Sequence, residues 1–177
     1  MSGVLATQVQ QALRVVPDYP KPGIMFQDIT PLLADAGLLA RVVKGMAAPF
    51  STAGVTHILG IEARGFIFGS AMALEMGVGF IPARKPGKLP WETVRETYQL
   101  EYGTDALEAH RDACLGRARV LVVDDVLATG GTAQAAGQLV RRLGGELAGW
   151  SFLLELGFLP GRSRLTGAPA SAILTLN

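Results

Sequence analysis

With Cys114 as its one cysteine, the chain cannot close an internal disulfide, and a disulfide-stapled secreted fold is excluded. Cys114 sits between Ala113 and Leu115, which suggests a buried, inert thiol in a reducing compartment. Charge of one sign is also lacking. Sixteen Lys and Arg stand against fifteen Asp and Glu, so bulk electrostatics make no case for a nucleic-acid partner. Long apolar runs are missing too. The most apolar region, 66–83, is broken by Glu75, Gly77, Gly79 and Pro82, and no membrane span is expected. Residues 1–11 lack the basic start and apolar centre of a signal peptide. Without repeats, low-complexity tracts or linkers, the 177 residues read as a single cytoplasmic domain, 1–177.

What is present gathers around residues 120–143. Val120, Leu121, Val122 and Val123 suggest a strand buried on both faces. Asp124 and Asp125 are expected to end it. Ala128, Thr129, Gly130, Gly131 and Thr132 then form a small-residue turn, and Ala135, Ala136, Leu139, Val140 and Leu143 repeat at helical spacing. A Gly pair at a helix N-terminus lets backbone N–H groups converge on a phosphate, with Thr129 and Thr132 adding hydroxyls. No lysine follows the glycines, so the nucleoside triphosphate P-loop is excluded. The two carboxylates suit sugar hydroxyls or a hydrated Mg²⁺. A sugar phosphate fits the whole unit.

Elsewhere Val9, Ala12, Leu13 and Val16 predict a helix stopped by Pro17, and a stiff proline loop then delivers Ile24, Met25 and Phe26. Asp35 is a plausible cap for a helix carrying Leu38, Leu39, Val42, Val43 and Met46. Strands are expected at 57–61, 80–83, 147–156 and 172–176, with a helix from about 66 to 76. Residues 84–103 differ. Arg84, Lys85 and Lys88 sit among Pro and Gly, and Tyr98, Leu100 and Tyr102 alternate with polar residues, as in a mobile flap. Strands alternating with helices imply an α/β fold with a mostly parallel sheet flanked by helices on both faces. Ligands then bind beyond the strands' carboxyl ends, where 62–65, 84–88 and 124–132 meet. Arg64 at a strand-to-helix turn could supply forked donors to an anion. Read singly, Lys85 and Lys88 fit solvated surface charge equally well.

The string Val-Val-Asp-Asp-Val-Leu-Ala-Thr-Gly-Gly-Thr at 122–132 resembles the signature with which type I phosphoribosyltransferases bind phosphoribosyl pyrophosphate (PRPP). Asp18-Tyr-Pro-Lys-Pro-Gly-Ile-Met-Phe-Gln-Asp-Ile-Thr-Pro, Glu62-Ala-Arg-Gly-Phe, Arg84-Lys-Pro-Gly-Lys-Leu-Pro and Tyr98-Gln-Leu-Glu-Tyr-Gly resemble, in order, stretches of the adenine phosphoribosyltransferase family. That resemblance implies pentosyl transfer from PRPP to adenine, giving AMP and pyrophosphate, with Mg²⁺ carried mainly by PRPP, pyrophosphate and water rather than by side-chain ligands. It implies that Phe26 stacks on the purine, that the backbone of Met25 and Gln27 reads the base edge, and that Leu159 covers the other face. Glu101 is implied as the proton shuttle. Asp124, Asp125 and Ala128 through Thr132 are assigned to the phosphoribosyl group, and Arg64, Arg84, Lys85, Lys88 and Tyr102 also to PRPP. A homodimer is implied as well.

Two other readings compete. A phosphoribosyltransferase for a 6-oxopurine commonly places a lysine beside the base, and the segment ending at Leu156 has none. A PRPP-sensing regulator usually adds a DNA-binding module, for which this chain has neither room nor basic charge. Trp91 after Lys-Leu-Pro departs from the usual pattern and bears on flap packing.

Overall fold

The computed structural model describes residues 2–99 and 103–177. The chain opens with helix α1 (Ser2–Ala12), shorter than the apolar spacing predicts. Arg14–Val16 instead form strand β1, which pairs antiparallel with β2 (Phe26–Asp28), Val16 opposite Phe26. The β-branched Val15 and Val16 favour extended backbone once a partner is available. Between the two strands, the backbone N–H of Gly23 donates to Asp18 Oδ1 (2.7 Å), and the Tyr19 ring meets Phe26 edge-on at 5.1 Å. The proline loop is thus closed upon itself.

Helices α2 (Thr30–Ala34) and α3 (Ala36–Ala47) follow. Asp35 caps α3 as its sequence suggests, accepting from the backbone N–H of Leu38 at 2.9 Å. Then come β3 (His57–Ile61), α4 (Gly65–Met76), β4 (Gly79–Ala83), the antiparallel hairpin β5 (Thr93–Gln99) and β6 (Thr104–His110), β7 (Arg119–Leu127), α5 (Gly131–Arg142), β8 (Glu146–Leu156) and β9 (Ala170–Leu176).

Five strands form one parallel sheet in the order β4-β3-β7-β8-β9. One face packs under α1, α3 and α4 around Phe50, Phe68 and Leu153. The other packs under α5 and the hairpin around Leu107, Leu139 and Trp150. Both faces are covered, so the central strand β7 carries the unbroken apolar run Val120–Val123.

A further expectation changes. β7 does not stop at the acidic pair, because the eleven-residue β8 continues its ladder past Asp124 to Leu127, which pairs with Glu155. The expected flap region carries β5, whose pairing with β6 extends to His110, and Arg84 joins the same hairpin by exchanging backbone hydrogen bonds of 2.8 Å with Glu108. Cys114 is buried, as its neighbours suggest, and burial pushes its thiol up. Among the described residues, no helix is long and apolar enough to cross a membrane.

Candidate active site

The carboxyl ends of β3, β7, β8 and β9 open into one cavity of about 740 Å³. Met25, Phe26 and Gln27 approach it from the β1–β2 ribbon. Arg64 comes from the β3–α4 turn, Lys85 from the segment after β4, and Asp124 and Asp125 from the end of β7, with Ala128 and Thr132 beside them. A recess of about 80 Å³ shares Asp124, Ala128 and Thr132 with it and is completed by Thr129, Gly130 and Gly131. Arg84, Lys88 and Leu159 stand outside the cavity lining, whereas Phe158, 67% exposed, lines it. Glu101 and Tyr102 lie outside the described residues.

The recess is a helix N-terminus. Gly130 adopts φ +81°, a left-handed conformation that costs glycine little, and α5 starts at the next residue. The first N–H groups of a helix lack intrahelical acceptors and carry partial positive charge, so they suit a phosphate. Gln99, the last described residue of β5, brings its carbonyl close to Gly131. The hairpin end that leads to Glu101 therefore abuts this turn.

The acidic pair is asymmetric. Asp125 is buried and accepts a hydrogen bond from Arg64 Nε, whose guanidinium also lies 5.6 Å from the centre of the Phe26 ring. One arginine thus bridges the aromatic and acidic sides. Gly65 permits this approach, since a Cβ there would come within 2.8 Å of the Val123 carbonyl oxygen. Burial and the adjacent Asp125 carboxylate push Asp124 well above the ordinary carboxylate value.

Asp124→Asn is therefore expected to raise the melting temperature of the ligand-free protein at neutral pH. A carboxyl whose folded pKa lies above its unfolded value, 3.8 for Asp, makes folding less favourable as pH climbs between the two. The penalty is complete above the folded value and absent below the unfolded one. Thermal melts across that range should show the gain shrinking as pH falls; a variant that melts lower than the parent at neutral pH contradicts this account.

The basic segment is fixed by acids. Glu62 accepts from the Lys85 backbone N–H (3.0 Å), from Arg84 Nε (3.3 Å) and from Lys88 Nζ. Burial alone would raise the Glu62 carboxyl, but these donors outweigh it and leave the group below its ordinary value. Lys85 Nζ donates to Tyr98 Oη (2.7 Å) and to Asp105. Glu108 accepts from the Gly87 backbone N–H at 3.1 Å and from Arg95 Nε at 2.8 Å. Glu62 as organiser of these cations, and Phe158 as cavity wall, were not singled out from the sequence. Glu62 could have been noticed as the carboxylate beginning the Glu-Ala-Arg-Gly string, whereas Phe158 carries no local signal.

A sequence profile of the phosphoribosyl transferase domain matches residues 33–155. An adenine phosphoribosyltransferase of Myxococcus xanthus is 57% identical over 97% of this chain and 93% of its own length. One of Streptomyces coelicolor is 53% identical over 93% and 92%. Among solved structures, adenine phosphoribosyltransferase from Rhodothermus marinus is similar with TM-score 0.94 and 48% identity, covering 98% of this chain and 99% of that one. The Saccharomyces cerevisiae enzyme, complexed with an imino-altritol bisphosphate and adenine, is similar with TM-score 0.91 and 40% identity over 97% and 99%.

Proposed function

The chain belongs to the adenine phosphoribosyltransferase family, and from that premise we propose how its own residues divide the reaction. It is a transferase that moves the 5-phosphoribosyl group from PRPP to adenine, giving AMP and pyrophosphate in purine salvage. The observation that carries the assignment of roles is a single cavity joining an aromatic wall, an acidic pair and a helix-start phosphate turn.

The 5′-phosphate takes the Ala128–Thr132 turn, where N–H groups and the Thr129 and Thr132 hydroxyls donate to it. Asp124 and Asp125 accept from the ribose hydroxyls. Phe26 stacks on the purine, the backbone of Met25 and Gln27 reads its edge, and Leu159 belongs to the loop that closes its other face. Arg64 faces the pyrophosphate, whose greater charge draws the guanidinium from Asp125 and so releases that carboxylate to the ribose. Lys85, with Arg84 and Lys88 around it, adds to the pyrophosphate site, to which Tyr102 is also assigned. Charge collects on pyrophosphate as its bond to C1 breaks, so these cations act most strongly as the reaction proceeds. C1 becomes oxocarbenium-like, with the acidic pair nearby. Adenine N9 attacks C1, and Glu101 takes up or returns the purine proton.

Among the described residues no three His, Cys, Asp or Glu side chains cluster to hold a metal. Mg²⁺ prefers few carboxylates together with water and phosphate oxygens, so the pair at 124–125 fits an ion borne by PRPP rather than a protein cage. Such an ion would neutralise pyrophosphate charge. A homodimer is supported by α4, whose only polar side chains are Ser70 and Glu75 and which exposes Ile67 (40%) and Leu74 (86%). A cytoplasmic location agrees with the lone buried thiol.

The direct test is AMP formation from adenine and PRPP, with and without Mg²⁺, beside hypoxanthine, guanine and xanthine. Adenine turnover at least about tenfold above the other bases is expected, because a 6-oxopurine reverses the donor and acceptor pattern at C6. Equal or better use of a 6-oxopurine overturns the base assignment.

A further inference from the structure

Glu155 ends up buried, 7% exposed, at the ligand-bearing edge of the sheet beside Leu127, the last residue before the phosphate turn. A lone carboxylate there would repel a phosphate. Arg162 meets it with a two-pronged fork, Nε to Oε1 at 2.7 Å and Nη2 to Oε2, and its Nη1 donates to the Ala170 carbonyl at 2.8 Å. The guanidinium holds the Glu155 carboxyl below the ordinary value. The fork folds residues 157–164 over the strand ends.

That loop has two working surfaces. Phe158 lines the large cavity, and Gly161 lies backbone-to-backbone against the turn. A Cβ on Gly161 would run into the Ala128 carbonyl oxygen, and one on Gly130 would reach the Gly161 carbonyl oxygen at 2.5 Å. Arg162, the next residue, thereby fixes the outer wall of the Ala128–Thr132 turn.

We propose that the Glu155–Arg162 pair and Gly161 form a brace that positions the phosphate turn, and that they set affinity for the phosphoribosyl group without touching it. The proposal rests on the phosphate role given to that turn above. Anion recognition by several converging N–H groups depends on their mutual geometry, and a turn pushed or released from outside loses part of that convergence.

Two variants load the brace differently. Arg162→Lys keeps the charge but cannot reproduce the fork. Gly161→Ala removes neither member of the ion pair and drives a Cβ against the Ala128 carbonyl oxygen, so one of the two backbones must shift; the φ of −56° at Gly161 itself suits alanine. Calorimetry with ribose 5-phosphate is expected to show affinity at least about tenfold weaker in both, the scale of one charge-assisted hydrogen bond. In turnover assays KM for PRPP should rise likewise, with KM for adenine within about twofold of the parent. A merely structural role would shift both substrates together. Unchanged ribose 5-phosphate affinity in Gly161→Ala overturns the brace even if Arg162→Lys fails to fold, as does an equal loss for adenine. If the parent itself binds ribose 5-phosphate but makes no AMP, the proposed reaction fails while the brace stands or falls on the binding data. A parent that makes AMP yet does not bind ribose 5-phosphate refutes the phosphate role of the turn, and the brace with it, while the reaction stands.

Discussion

Glu101→Gln is expected to lower turnover by about 10²–10⁴-fold, the usual contribution of a positioned acid–base group, while PRPP still binds. A purine base must exchange a proton as its ring nitrogen bonds to C1, and glutamine keeps the shape of the side chain but cannot carry that proton. Glu101 follows the Gln99 carbonyl, which lies against Gly131, so the chain on its near side already runs along the phosphate turn. In the proposed arrangement PRPP is held through the turn, the acidic pair and the cations, so its affinity should remain within a small factor of the parent's. Steady-state rates with saturating adenine, together with PRPP calorimetry, decide the matter. Turnover within about twofold of the parent would remove Glu101 from the mechanism.

The double replacement Asp124→Asn and Asp125→Asn should act on binding instead. Charge-assisted hydrogen bonds contribute roughly 1.5–3 kcal/mol each, or about ten- to hundredfold in affinity, and adjacent groups do not add independently. PRPP affinity is therefore expected to fall by at least one such step. The pair sits between the Phe26 wall and the phosphate turn, so its loss should leave adenine recognition comparatively intact. Asp125→Asn alone also deprives Arg64 of its carboxylate partner, which frees the guanidinium for pyrophosphate and partly offsets the loss. Unchanged PRPP affinity by calorimetry in the double variant would assign the acidic pair some other task.

These two expectations lean on different kinds of information. The Val120–Thr132 unit was legible because strand, acids, glycines and helix follow one another within a few residues. Local chemistry alone makes it compatible with a sugar phosphate. The Asp35 cap and the apolar spacing of α3 were legible for the same reason. By contrast, β1 and β2 are three residues each and exist because they pair with one another. The β6 strand, Thr104–His110, lacks clean alternation and takes its conformation from β5. The acids looked like a strand end, yet β7 runs through them because a long neighbour supplies hydrogen bonds. Read singly, Lys85 and Lys88 fitted solvated charge and a ligand role equally well, but Asp105 and Glu62 meet them across twenty or more positions.

By itself, then, the sequence determined the α/β alternation, the phosphate turn, the acidic pair and the ordered motifs that mark the family. Each of these is written in neighbouring residues, where side-chain size, backbone freedom and spacing act directly. Only the tertiary structure decided which acids are spoken for, that Arg64 bridges Asp125 and Phe26, and that Arg162 meets Glu155 with a fork. Those are matters of burial and of contacts between distant segments. A carboxylate's charge, partner and exposure follow from what the folded chain brings beside it, and no local pattern records that.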